Sequence, residues 1–175
     1  MKIGTVIKRF FVPGIVITAT CVFKYRCMVS PRAEVEVNRW LSIGRKTAIS
    51  SYTKIKANDG PLSIGEHCSI GTGCFISADA AGVAIGDYCM VGPNTSIIGN
   101  DYKYDRLDIP VCQQEKTTKG ITIGNDVWIG AGCTITDGVE IGDHCIVAPN
   151  SLVTKSLPPK TVAMGQPAKK IFERR

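Results

Sequence analysis

Histidine is almost missing from this chain: His67 and His144 are the only two in 175 residues. That excludes a metal centre built on three histidines of one chain. It also leaves few ready general bases, because histidine is the side chain that titrates near neutrality. Cysteine occurs eight times, yet no C-x-x-C pair is present, so the spacing of a zinc site is lacking and no metal is expected. Aromatic residues make up only 7% of the chain, which fits a thin core better than a large globular one. The longest stretch without charge, Phe10 to Phe23, is 14 residues and contains Pro13-Gly14; a membrane-crossing helix needs about 20. Acid is absent from residues 1–33, which hold Lys2, Lys8, Arg9, Lys24, Arg26 and Arg32. Of 21 basic and 15 acidic residues in all, the remaining 15 and 15 cancel, so the net charge of +6 lies wholly in that arm. No nucleic-acid partner is expected.

What the chain does have is a period. Ile123, Ile129, Ile135, Ile141, Val147 and Val153 stand six apart, and four places after them come Val127, Cys133, Val139, Cys145 and Ser151. Six matches neither a helix at 3.6 nor a free amphipathic strand at two. It matches a solenoid of short parallel strands, three to a turn, each giving one aliphatic side chain to the interior. Val37, Ile43, Ile49, Ile55, Ile64, Ile70, Ile76, Ile85, Val91 and Ile97 extend the pattern upstream. The 18 glycines suit many tight corners. Cys68, Cys74, Cys89, Cys133 and Cys145 all occupy the small-residue slot. There cysteine serves as a compact apolar filler, and a reducing cytoplasm is the expected compartment.

The interruptions carry more information than the repeat. Spacing departs from six at 55–64, 76–85, 97–123 and 153–164, each time after a whole number of three-hexad turns. All four therefore leave one corner of a triangular prism of about five coils plus a partial first one. The third, residues 98–122, is a long polar excursion of the kind that is usually functional. Asn58-Asp59, Asp79 and the loop's opening residues, among them Asn100, would line a pocket at that edge. The organisation expected is one domain: an N-terminal cap or arm over 1–36, then the repeat over 37–175 with the loop and a tail over 155–175. Pro158-Pro159 is expected to end the regular coil. The arm reads as a cap over the open core, which a solenoid needs. It also reads as a cap that meets anionic membrane through its basic and apolar residues. A cleaved leader fits less well, for no A-x-A pattern follows.

The segments I-G-N-D-V-W-I-G-A-G and V-T-K-S-L-P-P-K-T-V-A-M-G-Q-P-A-K-K-I, with Y-D-R-L-D-I-P in the loop, resemble the hexapeptide-repeat acyltransferases. The branch is that of maltose, galactoside and polysaccharide O-acetyltransferases. The resemblance covers roughly residues 35–171. It implies an all-β, left-handed parallel β-helix, a homotrimer, and acetyl-CoA bound along the C-terminal coils between neighbouring prisms. Carried over by position, pantetheine would pass Ala131 and Pro149, with Thr154 and Lys155 further along and Lys169 near the nucleotide phosphates. Lysine suits phosphate as a mobile cation. Trp128 is expected to pack rather than react.

Acyl transfer to a hydroxyl needs a base for its proton and a donor for the tetrahedral oxyanion. The family's catalytic histidine falls on Tyr102 in N-D-Y-K-Y-D. An unperturbed tyrosine titrates near ~10, against ~6.5 for histidine. Asp101 beside it is the nearest alternative base and would need burial to serve. The family's acceptor-side asparagine falls on Cys74, and the acceptor is expected among Asp59, Cys74, Asp79 and Asn100. His67 and His144 occupy equivalent corner slots and read as structural. The reaction implied is acetyl transfer from acetyl-CoA to a sugar hydroxyl of a surface polysaccharide or its lipid-linked precursor, in the cytoplasm, with the inner face of the membrane as the alternative place. Two alternatives stand beside it: an amino-sugar N-acyltransferase, which asks less of the base, and a catalytically silent trimer that scaffolds glycan assembly.

Overall fold

The computed structural model of the chain describes residues 14–57 and 59–175. The first part of the expected cap, with Lys2, Lys8 and Arg9, and Asn58 at the expected pocket lie outside the described residues. The rest is a triangular solenoid. Face A stacks Met28–Val29, Ala48–Ile49, Ser69–Ile70, Met90–Val91, Trp128–Ile129, Ile146–Val147 and Thr161–Met164. Face B stacks Glu34–Val35, Lys54–Lys56, Phe75–Ala78, Ser96–Gly99, Thr134–Ile135 and Leu152–Val153. Face C stacks Leu41–Ile43, Leu62–Ile64, Val83–Ile85, Ile121–Ile123 and Glu140–Ile141. Every strand pairs in parallel with the equivalent strand one coil away, so Ile55 meets Ile76 and Ile97 meets Ile135.

Strands of two to four residues cannot bury an apolar face alone; stacking gives each backbone two partners and each aliphatic side chain two neighbours. Ile55, Ile70, Ile76, Ile97, Ile129, Ile135 and Ile141 are fully buried. The small-residue slot is more than filler. Thr47, Thr53 and Thr95 donate Oγ1–H to the carbonyls of Gly65, Gly71 and Gly130 at 2.6–2.9 Å. Cys68, Cys74 and Cys89 point their thiols in the same way at Gly86, Gly92 and Gly124, at 3.0–3.2 Å. Val127 and Val139 hold equivalent buried places with no polar atom. The slot therefore selects size first and a short donor second. Burial pushes the Cys74, Cys133 and Cys145 thiols up, which keeps them protonated as donors.

Three boundaries differ from the sequence reading. The solenoid starts at Met28, inside the segment assigned to the cap, because Val29 and Val35 are the buried residues of the first coil and Val37 is only partly buried. The last break is no insertion. Leu157 reaches face C four residues after Val153 and bridges Ile141, and Ala163 then lies buried on face A. The proline pair thus turns a corner rather than ending the coil, and about six turns result. The expected tail folds back: Lys169–Glu173 pairs antiparallel with Thr161–Met164. The cap is present from Gly14. Helix α1, Gly14–Thr20, continues into a π turn over Cys21–Tyr25. Cys21 is buried against the core, the Thr18 hydroxyl donates to the Val29 carbonyl at 2.9 Å, and the Tyr25 hydroxyl donates to that of Leu41 at 3.3 Å. No helix among the described residues is long and apolar enough to cross a membrane.

Candidate functional site

The long excursion leaves face B after Gly99 and rejoins face C at Ile121, so it occupies the corner between those faces. It is a hairpin: Asp101–Tyr102 pairs antiparallel with Lys116–Thr117. Its tip is organised by Gln114, which is buried and bridges Arg106 both ways, accepting from its N–H at 3.3 Å and donating to its carbonyl at 2.7 Å. Lys103 pairs with Glu115 at 2.6 Å, and Arg106 with Asp108.

At the root of the hairpin three polar side chains from three places in sequence converge. Asp79, from the coil before, is buried at 8% exposure. Its Oδ2 accepts from Asn100 Nδ2 at 3.2 Å and from Lys116 Nζ at 3.3 Å, while Oδ1 accepts from the Ala80 N–H at 2.8 Å. Burial works against the Lys116 charge, but the Asp79 carboxylate outweighs it and holds that ammonium above its ordinary value, with Tyr102 and Asp59 adding to the field. The same ammonium stands 5.8 Å from the centre of the Tyr102 ring. Alongside, a groove of about 380 Å³ runs down face C between Ala81, Gly82, Lys119 and Gly120 at the corner and Ser63, Ala84, Thr122 and Glu140 on the face. Short side chains and glycine make it smooth; a Cβ on Gly120, whose φ is +86°, would lie 2.9 Å from the Ala81 carbonyl.

The expected site residues divide between corners. Asp59, Asp79, Asn100, Asp101 and Tyr102 belong to the corner between B and C, and Thr154 and Lys155 lie exposed at its last coil. Asp101 is exposed, and its Oδ1 accepts from the Tyr102 N–H at 3.1 Å; the burial that a base there needs is missing in this chain. Ala131 and Pro149 stack at the opposite corner between A and B, where the Asn150 N–H donates to the Ala131 carbonyl at 2.8 Å. Lys169 lies at the end of face A, paired with Met164.

Cys74 is corrected. It is 1% exposed in the small-residue slot with its thiol on the Gly92 carbonyl, and so cannot touch an acceptor. Trp128 is also corrected, since Ile129 takes the inward position and Trp128 must point out. It lies half-exposed in an outer apolar ladder with Met90, Ile146, Val162 and Phe172. Lys116 was not singled out from sequence. Only the hairpin's return register brings it back to Asp79, and a basic residue opposite Tyr102 in an antiparallel reading was the signal available. His67 stacks on Tyr88 with ring centres 4.8 Å apart, and His144 Nδ1 lies 2.9 Å from Asp126, both at the corner between C and A. Among the described residues no three side chains of metal-ligating type gather.

Two segments match family models: residues 120–155 the "Bacterial transferase hexapeptide (six repeats)" and residues 61–99 the "Hexapeptide repeat of succinyl-transferase". The chain is 51% identical over 53 residues to galactoside O-acetyltransferase of Escherichia coli (strain K12), covering 30% of this chain and 26% of that protein. It is 48% identical over 52 residues to a chloramphenicol acetyltransferase of Morganella morganii, covering 30% and 25%. It thus spans only about a quarter of the length of these relatives. Among solved structures, AntD, an N-acyltransferase from Bacillus cereus in complex with dTDP and 3-hydroxybutyryl-CoA, superposes with a TM-score of 0.76 at 22% identity, covering 86% of this chain and 81% of that one. A variant of GDP-perosamine N-acetyl transferase from Caulobacter crescentus in complex with CoA and GDP-perosamine gives 0.65 at 24%, covering 84% and 57%. At these identities the likeness establishes the fold, a left-handed parallel β-helix.

Proposed function

We propose that the chain, which matches hexapeptide-repeat transferase models over two segments and resembles an acetyltransferase over 53 residues, transfers an acetyl group from acetyl-CoA to a sugar, at the corner between faces B and C. The carrying observation is the Asp79–Asn100–Lys116 cluster at the root of the hairpin. A nearly buried carboxylate held by contacts of 3.2 and 3.3 Å, at the long end for such bonds, leaves room for an acceptor group to replace one of them. Asp79 takes the proton of the sugar oxygen as it bonds the thioester carbon, and the resulting tetrahedral oxyanion is steadied by Lys116; its collapse to the ester breaks the C–S bond, and Asp79 returns the proton to the sulfur, which leaves as the CoA thiol. Asp101 and Tyr102 flank the acceptor, with Asp59 one coil away. A hydroxyl acceptor is favoured by the identity with the galactoside enzyme. Transfer to an amine is the second reading, favoured because Asp79 already binds an ammonium.

In this proposal the protein is a homotrimer. The ladder on face A exposes Met90, Trp128 and Phe172, an apolar surface that a neighbouring subunit would cover with a different part of itself. A neighbouring subunit then brings its Ala131–Pro149 corner to this hairpin, and acetyl-CoA lies between them with Thr154, Lys155 and Lys169 along its length. The test is acetyl-CoA turnover with hexose and amino-hexose acceptors, alongside titration of acetyl-CoA binding. Asp79→Asn should lower turnover by about 100-fold or more with binding of acetyl-CoA retained, and Tyr102→His should raise it. Turnover indifferent to Asp79→Asn would remove the assigned site. Binding without turnover on any acceptor would favour the silent scaffold in glycan assembly, and no binding would end the acyltransferase reading.

A further inference from the structure

The cap has two sides, and the prism accounts for only one. Its inner side is used up by Cys21, Thr18 and Tyr25 against the first coil. Its outer side presents Ile15, Val16, Ala19, Val22 and Phe23, all exposed, with Phe23 at 85%. The spacing puts them on one side of α1 and its π-turn continuation. Ile15, Val16, Ala19 and Phe23 line a shallow, open hollow of about 530 Å³ with Lys24 at its edge. A solenoid cap needs a polar outer face to keep the stack soluble. Among the described residues this one presents five apolar side chains.

Lys24 stands at the edge of the hollow, Arg26 and Arg32 follow it in the chain and are exposed, and no acid precedes Glu34 in the sequence. Residues 34–175 are charge-balanced, so the basic excess lies in the first 33 residues of the sequence. An apolar patch edged by Lys24, in a segment whose charges are all basic, matches a bilayer rich in anionic headgroups: the apolar side chains enter the acyl boundary while the basic ones meet lipid phosphates. A second copy on the same patch would set two such basic segments against each other, which disfavours it. α1 has seven residues, too few to span a bilayer, so the contact proposed for it is one of lying on the surface.

We propose that the N-terminal end of the prism is a docking surface for an anionic lipid bilayer, made by the outward face of the cap. The proposal is independent of the reaction assigned above. Its test is flotation of the full-length protein with phosphatidylcholine vesicles, with and without phosphatidylglycerol. Binding is expected to the anionic vesicles alone and to be released as salt shortens the screening length. The double variant Ile15→Ser/Phe23→Ser should bind about tenfold more weakly or worse, and Lys24→Gln/Arg32→Gln should weaken binding and its salt dependence together. These side chains are exposed, so thermal unfolding of both variants should match the parent. No binding to anionic vesicles, equal binding to neutral ones, or binding unmoved by the apolar variant would each overturn the proposal. So would self-association abolished by Ile15→Ser/Phe23→Ser in place of vesicle binding, since the occupant would then be a second copy.

Discussion

At the corner between faces C and A, Lys46, His67, Tyr88, Asp126, His144 and Lys160 stand in one column, all with φ between +53° and +61°. At the corner between B and C the chain re-enters face C through Gly82, Gly120 and Gly138, with φ from +80° to +86°, after connections of very different length. The first corner accepts side chains in a conformation that costs roughly 1–2 kcal/mol per residue. Its compensation is a ladder: the N–H groups of His67, Tyr88, Asp126, His144 and Lys160 donate to carbonyls of the preceding coil at 2.8–3.0 Å. Beside it, Asp87, Asn125 and Asp143 accept from the backbone N–H of Glu66, Asp87 and Asn125 at 2.6–2.8 Å. Such a ladder works only if every coil turns identically. The corner between B and C has given up that regularity and gained a hairpin, a buried carboxylate and a groove. Regular corners hold the stack together; the irregular one is free to carry chemistry.

The comparison can be broken most severely in the core that both corners share. Ile129→Asp places an unpaired charge at a site with no solvent exposure and should cost on the order of 5 kcal/mol or more, seen as loss of any cooperative thermal transition. A Gly-Ser insertion after Ala131 should act nearly as strongly, because it throws the next coil out of register. The same insertion after Leu107, which is fully exposed at the hairpin tip, should cost about 0.5 kcal/mol or less by denaturant unfolding. If both insertions cost the same, the two kinds of corner do not differ as described. Gly130→Ala is milder: its Cβ would lie 2.5 Å from the Pro149 nitrogen, and a loss of about 1–3 kcal/mol is expected. Smallest is Cys133→Val, expected within about 1 kcal/mol of the parent, since Val127 and Val139 already fill equivalent slots. A large loss there would mean that the thiol contact to the Ala148 carbonyl, at 3.2 Å, matters more than the slot's volume.

The period of six, the slot cysteines and the single corner for insertions were all legible, because one aliphatic side chain per strand is a physical requirement of a stacked core. The first coil was misread for a local reason. Val35 and Val37 are both aliphatic and two apart, so either could be the inward residue of a strand, and spacing to Ile43 favoured the wrong one. Leu157 was missed since the last coil cuts its corner short. Cys74 teaches a different lesson: the repeat placed it in a buried slot, and transfer by resemblance placed it against the acceptor. The repeat was the better guide. At the site, Asp79 and Asn100 followed from corner arithmetic alone. Lys116 could not, for its position depends on how the fifteen residues between Asn100 and Lys116 fold back, and no period governs them.

The pairing of Asp101–Tyr102 with Lys116–Thr117 brings the two ends of the hairpin back to adjacent points on the prism. A segment that starts and finishes at the same doorstep can be exchanged without consulting the rest of the building. Grafting a hairpin of another length onto Gly99 and Gly120 would leave each coil above and below undisturbed. Under the proposed function, acceptor preference would then be a detachable module on a fixed frame, open to recombination as a cassette.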